Sequence, residues 1–348
     1  MGSSLLLLAL GATAILAAPS PMHKLPFTHL VTFGDSYTDN GRLAYYIHHN
    51  GSAPPPGAYH NETNLTETGG LAWGQLIRAS TGVTYLDYAS DGATCSNEII
   101  SRMFDDIYRP YPSVLDDEIP SFESDIGFKS LYLNRTSQNT LYALWIGTND
   151  LGWDAFLSDS GAPGKTIRDY VECVWSVFDR IYRTGGRRFV LFNQAPLQLA
   201  PTYAPQARGG VGDHQYWWTK SRYNETEYSQ KMMQYTTAVN TIFEYGAPFQ
   251  LIVQSRWPGA TFTLFDVHSL MTDIYNNPRN YLDAPYNTTG YYHHCRGDGS
   301  PCRDESAPRS AFLWWDELHP SARTDEIIAK KLLEVLTGNS TFGTTYTV

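Results

Sequence analysis

Three short apolar runs, each broken by a turn of small polar residues, constrain this chain more than anything else in it. Leu30–Phe33 runs into Gly34-Asp35-Ser36, Val83–Tyr88 into Ala89-Ser90-Asp91-Gly92-Ala93, and Thr140–Ile146 into Gly147-Thr148-Asn149-Asp150. Runs of this length, rich in β-branched and aromatic residues and bounded by turn formers, read as strands buried on both faces. Helical periodicity lies between and after them. Ile167, Tyr170, Val171, Val174, Phe178 and Ile181 fall on one face of a segment from Thr166 to Arg183 that stops at Gly185-Gly186. Further helices are expected over Leu71–Ser80, Glu118–Leu131, Glu225–Phe243 and Ser321–Leu336, and further strands at Arg188–Asn193 and at Gln250–Val253 or Thr261–Phe265. Strands alternating with helices call for an α/β fold: a mostly parallel five-stranded sheet covered on both faces, a three-layer α/β/α sandwich. Ligands bind such sheets at the carboxyl ends of the strands. The turns at Ser36, Gly92 and Asn149 are therefore expected on one rim.

The ends of the chain and its sequons bear on where it works. Met1–Ala18 carries Leu5-Leu6-Leu7-Leu8-Ala9-Leu10 followed by small residues, the pattern of a secretory signal peptide cleaved after Ala17 or Ala18. The apolar run falls short of the ~20 residues that span a bilayer, and no later segment is longer. Sequons begin at Asn50, Asn61, Asn64, Asn134, Asn224, Asn287 and Asn339, all in expected loops or element ends, as in a glycosylated secreted protein. The formal charge of −10 comes from scattered acidic residues, with no basic stripe for nucleic acid and no polybasic anchor for a membrane. Dividing 348 residues by ~150 gives about two domains. Chains of this pattern often close around one sheet, so 19–348 is expected to be one domain with long loop insertions, acting as a monomer.

The four cysteines suit loop staples better than a disulfide scaffold. Cys295 and Cys302 flank a short loop and are expected to pair, which leaves Cys95 and Cys173 as the remaining pair. A zinc site on His293, His294 and Cys295 is the rival reading, but half of the usual ligand spacing is missing. From Gln194 to Arg222 the chain loses periodicity, and a stretch that long is usually functional or a glycan-bearing insertion.

A serine nucleophile needs an imidazole in reach and an acid to hold its tautomer. Asp316-Glu317-Leu318-His319-Pro320 supplies both groups from one segment, at the entry to the last expected helix. An oxyanion needs preorganised donors; the backbone N–H of Ser36 and of Gly92 and the side-chain amide of Asn149 are the candidates. Taken singly, each of these short patterns is most often only a turn or a helix cap.

Together, Gly-Asp-Ser near the start, a strand-end Gly, Gly-Thr-Asn-Asp after a strand and Asp-x-x-His-Pro before the final helix resemble the GDSL or SGNH hydrolase family, in the family's order from Gly34 to Pro320. The resemblance implies a flavodoxin-like sandwich and ester hydrolysis without metal or cofactor. Residue by residue it makes Ser36 the nucleophile, His319 the base, Asp316 its orienter, and Ser36, Gly92 and Asn149 the oxyanion hole. Tyr37 stands where the family's four-letter name has Leu. Within the family, Phe33–Gly41, Gly69–Trp73 and Tyr88–Cys95 are similar to secreted fungal acetylesterases of carbohydrate esterase family sixteen. That implies acetylated oligosaccharides, or other small esters, as substrates. With 24 Tyr and 9 Trp, loop aromatics such as Trp153, Trp217, Trp218, Trp314 and Trp315 are candidates to stack on sugars. A lipase or phospholipase of the same family, and a secreted sugar-binding protein without catalysis, are the alternatives.

Overall fold

The computed structural model describes residues 25–295 and 300–348. The expected signal peptide, 1–18, lies outside them. Among the described residues no helix is long and apolar enough to cross a membrane.

The five parallel strands are β1 (His29–Gly34), β2 (Thr84–Asp87), β3 (Thr140–Trp145), β4 (Arg188–Phe192) and β5 (Thr261–Phe265). A sixth, β6 (Gly343–Thr347), joins antiparallel to β5, giving the order β6-β5-β4-β3-β1-β2. The sheet thus has six strands, not five. Every residue of β1 and β3 is buried, which is why their sequences are mostly apolar rather than alternating. Of the two candidates for the fifth strand, Thr261–Phe265 takes the place. Phe249–Val253 continues the preceding helix as a π-turn, with Ile252 and Val253 exposed.

The helices are α1 (Arg42–His48), α2 (Trp73–Thr81), α3 (Ile119–Asp125), α4 (Ile167–Arg183), α5 (Glu225–Pro248), α6 (Val267–Asn276) and α7 (Ala322–Leu336). The helix expected within Glu118–Leu131 is α3, entered through a π-turn over Val114–Glu118 and ending before Gly127. The two faces of the sheet are covered separately. Trp73 of α2 packs on Phe192, whereas Phe178 of α4 packs on Phe189, three residues earlier on β4 and so on the opposite face.

Cys95 pairs with Cys173 of α4, tying the turn after β2 to that helix. Cys295 pairs with Cys302. This corrects the zinc reading: although His293 Nε2 sits 3.0 Å from Cys295 Sγ, that sulfur is in a disulfide and offers no thiolate. Six sequon asparagines are exposed; Asn287 is half-buried, its amide oxygen accepting from Gly290 N–H at 2.7 Å.

Candidate active site

β1 lies between β3 and β2, with Gly34 opposite Trp145 and Thr32 opposite Asp87. The turns that follow these three central strands therefore open side by side. After Gly34 the backbone reverses, Thr38 and Asp39 N–H both donating to Asp35 C=O at 2.9 and 3.0 Å. Gly34 is required there: φ is +146°, and a Cβ would lie 2.1 Å from Trp145 O. The turn holds Ser36 almost wholly buried, 3% exposed, with Oγ 2.8 Å from His319 Nε2.

His319 comes from the loop that enters α7, whose first turn Ser321 caps through Thr324 N–H. Asp316 closes this loop on itself, its Oδ1 accepting from Leu318 and His319 N–H at 2.8 and 2.7 Å. The same carboxylate meets His319 Nδ1 at 2.9 Å through Oδ2, so the imidazole is held between Asp316 and Ser36. Burial alone would lower the pKa of His319. The charge and hydrogen bond of Asp316 outweigh that, with Glu67 and Asp91 adding to the rise. Asp316 is correspondingly depressed: burial opposes ionisation, but His319 and its hydrogen bonds prevail.

Tyr37 ties the serine turn to the histidine loop. Its O–H donates to Leu318 C=O at 2.8 Å, and its ring meets Trp145 and His319 edge-on. A leucine could make the packing but not the hydrogen bond. The substitution that sets this sequence apart beside the nucleophile thus adds a fastening between its two ends.

Gly92 follows β2 at φ +75°, and a Cβ there would lie 2.2 Å from the ring of Tyr111. Asn149 Nδ2 donates to Ala93 C=O at 2.9 Å, next to Gly92, and its Oδ1 accepts from Arg102 at 2.9 Å. The amide is thereby fixed in one orientation, with its second N–H left to donate elsewhere. Burial pushes the carboxyls of Asp35 and Asp150 up to about 7.

Three residues of the site carry no sequence motif. Tyr216, from the long aperiodic stretch, donates to Asp316 Oδ2. Glu67, exposed on the loop before α2, brings a carboxylate oxygen within 4.8 Å of ligating atoms of both Asp316 and His319. Arg102 orients Asn149. Two of the expected sugar-stacking aromatics cannot serve, since Trp217 and Trp314 are fully buried; Trp153 stacks on Trp217, and Trp315 stacks with Tyr292 and with His293. Only Trp218 of the five is strongly exposed, at 68%.

Comparison with known proteins gives this arrangement a setting. The profile of the family described as GDSL-like Lipase/Acylhydrolase matches residues 30–332. An acetylesterase of Hypocrea jecorina is 51% identical over 318 residues, covering 91% of each chain. An acetylesterase of Thermothelomyces thermophilus is 25% identical over 344 residues, covering 97% of each. A crystal structure of an acetylxylan esterase from Geobacillus stearothermophilus covers 90% of this chain and 96% of its own, at 14% identity and a TM-score of 0.40.

Proposed function

The chain belongs to the GDSL-like lipase/acylhydrolase family and is a carboxylic ester hydrolase, and on that premise we propose that Ser36, His319 and Asp316 hydrolyse acetyl esters of plant cell-wall oligosaccharides outside the cell. The observation that carries the reading is the unbroken line of hydrogen bonds from Asp316 through His319 to Ser36 Oγ. Ser36 attacks the acetyl carbonyl as His319 Nε2 takes its proton. The carbonyl oxygen becomes an oxyanion, met by the N–H groups of Ser36 and Gly92 and the free N–H of Asn149. His319 then gives its proton to the leaving sugar hydroxyl, and water, activated by the same imidazole, frees acetate from the acyl-serine.

Asp316 keeps the imidazole in the tautomer with Nε2 free to accept and stabilises the imidazolium that forms. The 51% identity to an acetylesterase supports the acetyl group as the acyl part. The sugar part and export rest on the sequence: the leader at 1–18, the seven sequons and a net acidic surface suited to neutral substrates. In this reading 19–348 acts as one catalytic domain and works alone. The test is a Ser36→Ala variant beside the parent on acetyl, butyryl and octanoyl 4-nitrophenyl esters, then acetate release from acetylated xylo-oligosaccharides. A folded Ser36→Ala protein that still hydrolyses the acetyl ester at the parent's rate sinks the mechanism. Faster turnover of octanoyl than acetyl esters would make the enzyme a lipase instead.

A further inference from the structure

Glu118 ends the π-turn that leads into α3, and its side chain is completely buried. One carboxylate oxygen accepts from Gly34 N–H at 3.0 Å and the other from Ser90 N–H at 3.2 Å. Gly34 stands two residues before Ser36, and Ser90 two residues before Gly92. A single carboxylate from a third element thus spans the two turns that carry the two backbone donors of the oxyanion hole. Ser90 N–H also reaches Gly34 C=O at 3.1 Å, so the two turns touch where Glu118 bridges them.

The surroundings fix Glu118 rather than merely tolerate it. Phe122, one turn along α3, packs edge-on against Phe33 of β1 and Tyr88 beside the second turn. Burial raises the Glu118 carboxyl well above the usual carboxylate range and the nearby Asp87 and Asp39 add to the rise; the Gly34 N–H and the buried guanidinium of Arg42 oppose it without cancelling it. Asp39 does a related task from the other side, accepting from Asp91 N–H at 2.7 Å as well as from three N–H groups at the start of α1. Two successive N–H groups ahead of Gly92 are therefore anchored on carboxylates from different segments. The peptide plane that aims the Gly92 N–H has little freedom left.

We propose that Glu118 is a positioning residue for ester hydrolysis, setting the separation and aim of the Ser36 and Gly92 N–H groups toward the oxyanion. The proposal rests on the assignment of those donors under Proposed function. Oxyanion donors act only where they meet the transition state at hydrogen-bond distance, and a displacement of ~1 Å is worth about a hundredfold in rate. Replacing the bridge should therefore slow the chemical step and leave ground-state binding alone.

Two variants test it. Glu118→Gln keeps the shape but turns an amide N–H2 toward one of the two donors, and Glu118→Asp keeps the carboxyl group but is one methylene too short to reach both. Each is measured for kcat and KM on 4-nitrophenyl acetate, for affinity toward a boronic acid that forms a tetrahedral adduct with serine, and for thermal midpoint. Asp179→Asn, which replaces the carboxylate oxygen accepting from Arg256 Nη2 by an amide N–H2, away from the serine and histidine turns, serves as the stability control. The expected result is a fall in kcat of about ten- to a hundredfold, KM within about twofold, and boronate affinity weakened in step with kcat, with kcat of the control unchanged. Folded Glu118 variants with the parent's kcat and boronate affinity overturn the positioning role, as does a fall no greater than that of an equally destabilised Asp179→Asn. If Ser36→Ala itself stays active, the oxyanion assignment fails and this role goes with it. A silent Ser36→Ala alongside unimpaired Glu118 variants isolates the failure to Glu118.

Discussion

The phenol of Tyr216 donates a 2.7 Å hydrogen bond to Asp316 Oδ2 and stands 3.3 Å from His319 Nδ1. It takes up part of the carboxylate's charge that would otherwise act on the imidazole. Tyr216→Phe should strengthen the hold of Asp316 on the imidazolium, raising the pKa of His319. Since the base must be neutral, the acid limb of kcat/KM should move to higher pH, by up to about one unit. A pH profile of the variant that coincides with the parent's would show that Tyr216 only packs.

Glu67 predicts a shift of opposite sign. Its negative charge helps raise the pKa of His319, so activity in the parent is gained as pH rises through a value above the ordinary 6.5 of imidazole. Glu67→Gln removes one anion facing the ring and leaves Asp316 and Asp91. The acid limb should move to lower pH, and because Glu67 is exposed, the gap between the two proteins should shrink as salt is added. The same limb measured at low and high ionic strength checks both points.

Asn149 and Arg102 should fail in the same manner but to different degrees. Asn149→Ala removes a proposed oxyanion donor and should cost about 10²–10³ in kcat. Arg102→Ala leaves the amide in place but frees it to rotate, since only Ala93 C=O then holds it, and should cost kcat less. In both, KM for 4-nitrophenyl acetate should change little, which steady-state kinetics will decide.

The two disulfides should contribute unequally. Cys95–Cys173 closes a loop with a sequence separation of 78, against 7 for Cys295–Cys302. In the chain-entropy account these are worth about 4.5 and about 2.5 kcal/mol. Urea unfolding of Cys95→Ser/Cys173→Ser should show the larger loss of stability. Activity should suffer more as well, because that bridge anchors the segment following Gly92.

The sequence made the central strands legible because burial on both faces forces nearly continuous apolar runs, and Asp316 and His319 could be read as a pair because three positions separate them on one loop, whereas Ser36 showed only as a hydroxyl in a strand-end turn. The sequence concealed β6, since Gly343–Thr347 is an edge strand of threonine and tyrosine that needs no apolar alternation. Gln250–Val253 misled for the converse reason: Leu251, Ile252 and Val253 form an apolar run, yet the chain is still turning out of α5 and only Leu251 is buried. Tyr216, Glu67, Arg102 and Glu118 were not readable as site residues. Tyr216 meets Asp316 across 100 positions, and Glu118 meets Gly34 across 84. Nothing local in a sequence records such meetings, although the long aperiodic stretch was a sign that something like Tyr216 lay within it.

Ser36 and His319 stand 283 positions apart, one at the end of the first strand and the other in the last loop before α7. A chain still being made therefore presents the serine hydroxyl before it has the imidazole proposed to draw its proton. On the proposed mechanism, hydrolysis begins only when the final segment docks. A chain cut short of that segment is silent rather than indiscriminate, and the appearance of activity during synthesis would time the arrival of α7 against the sheet.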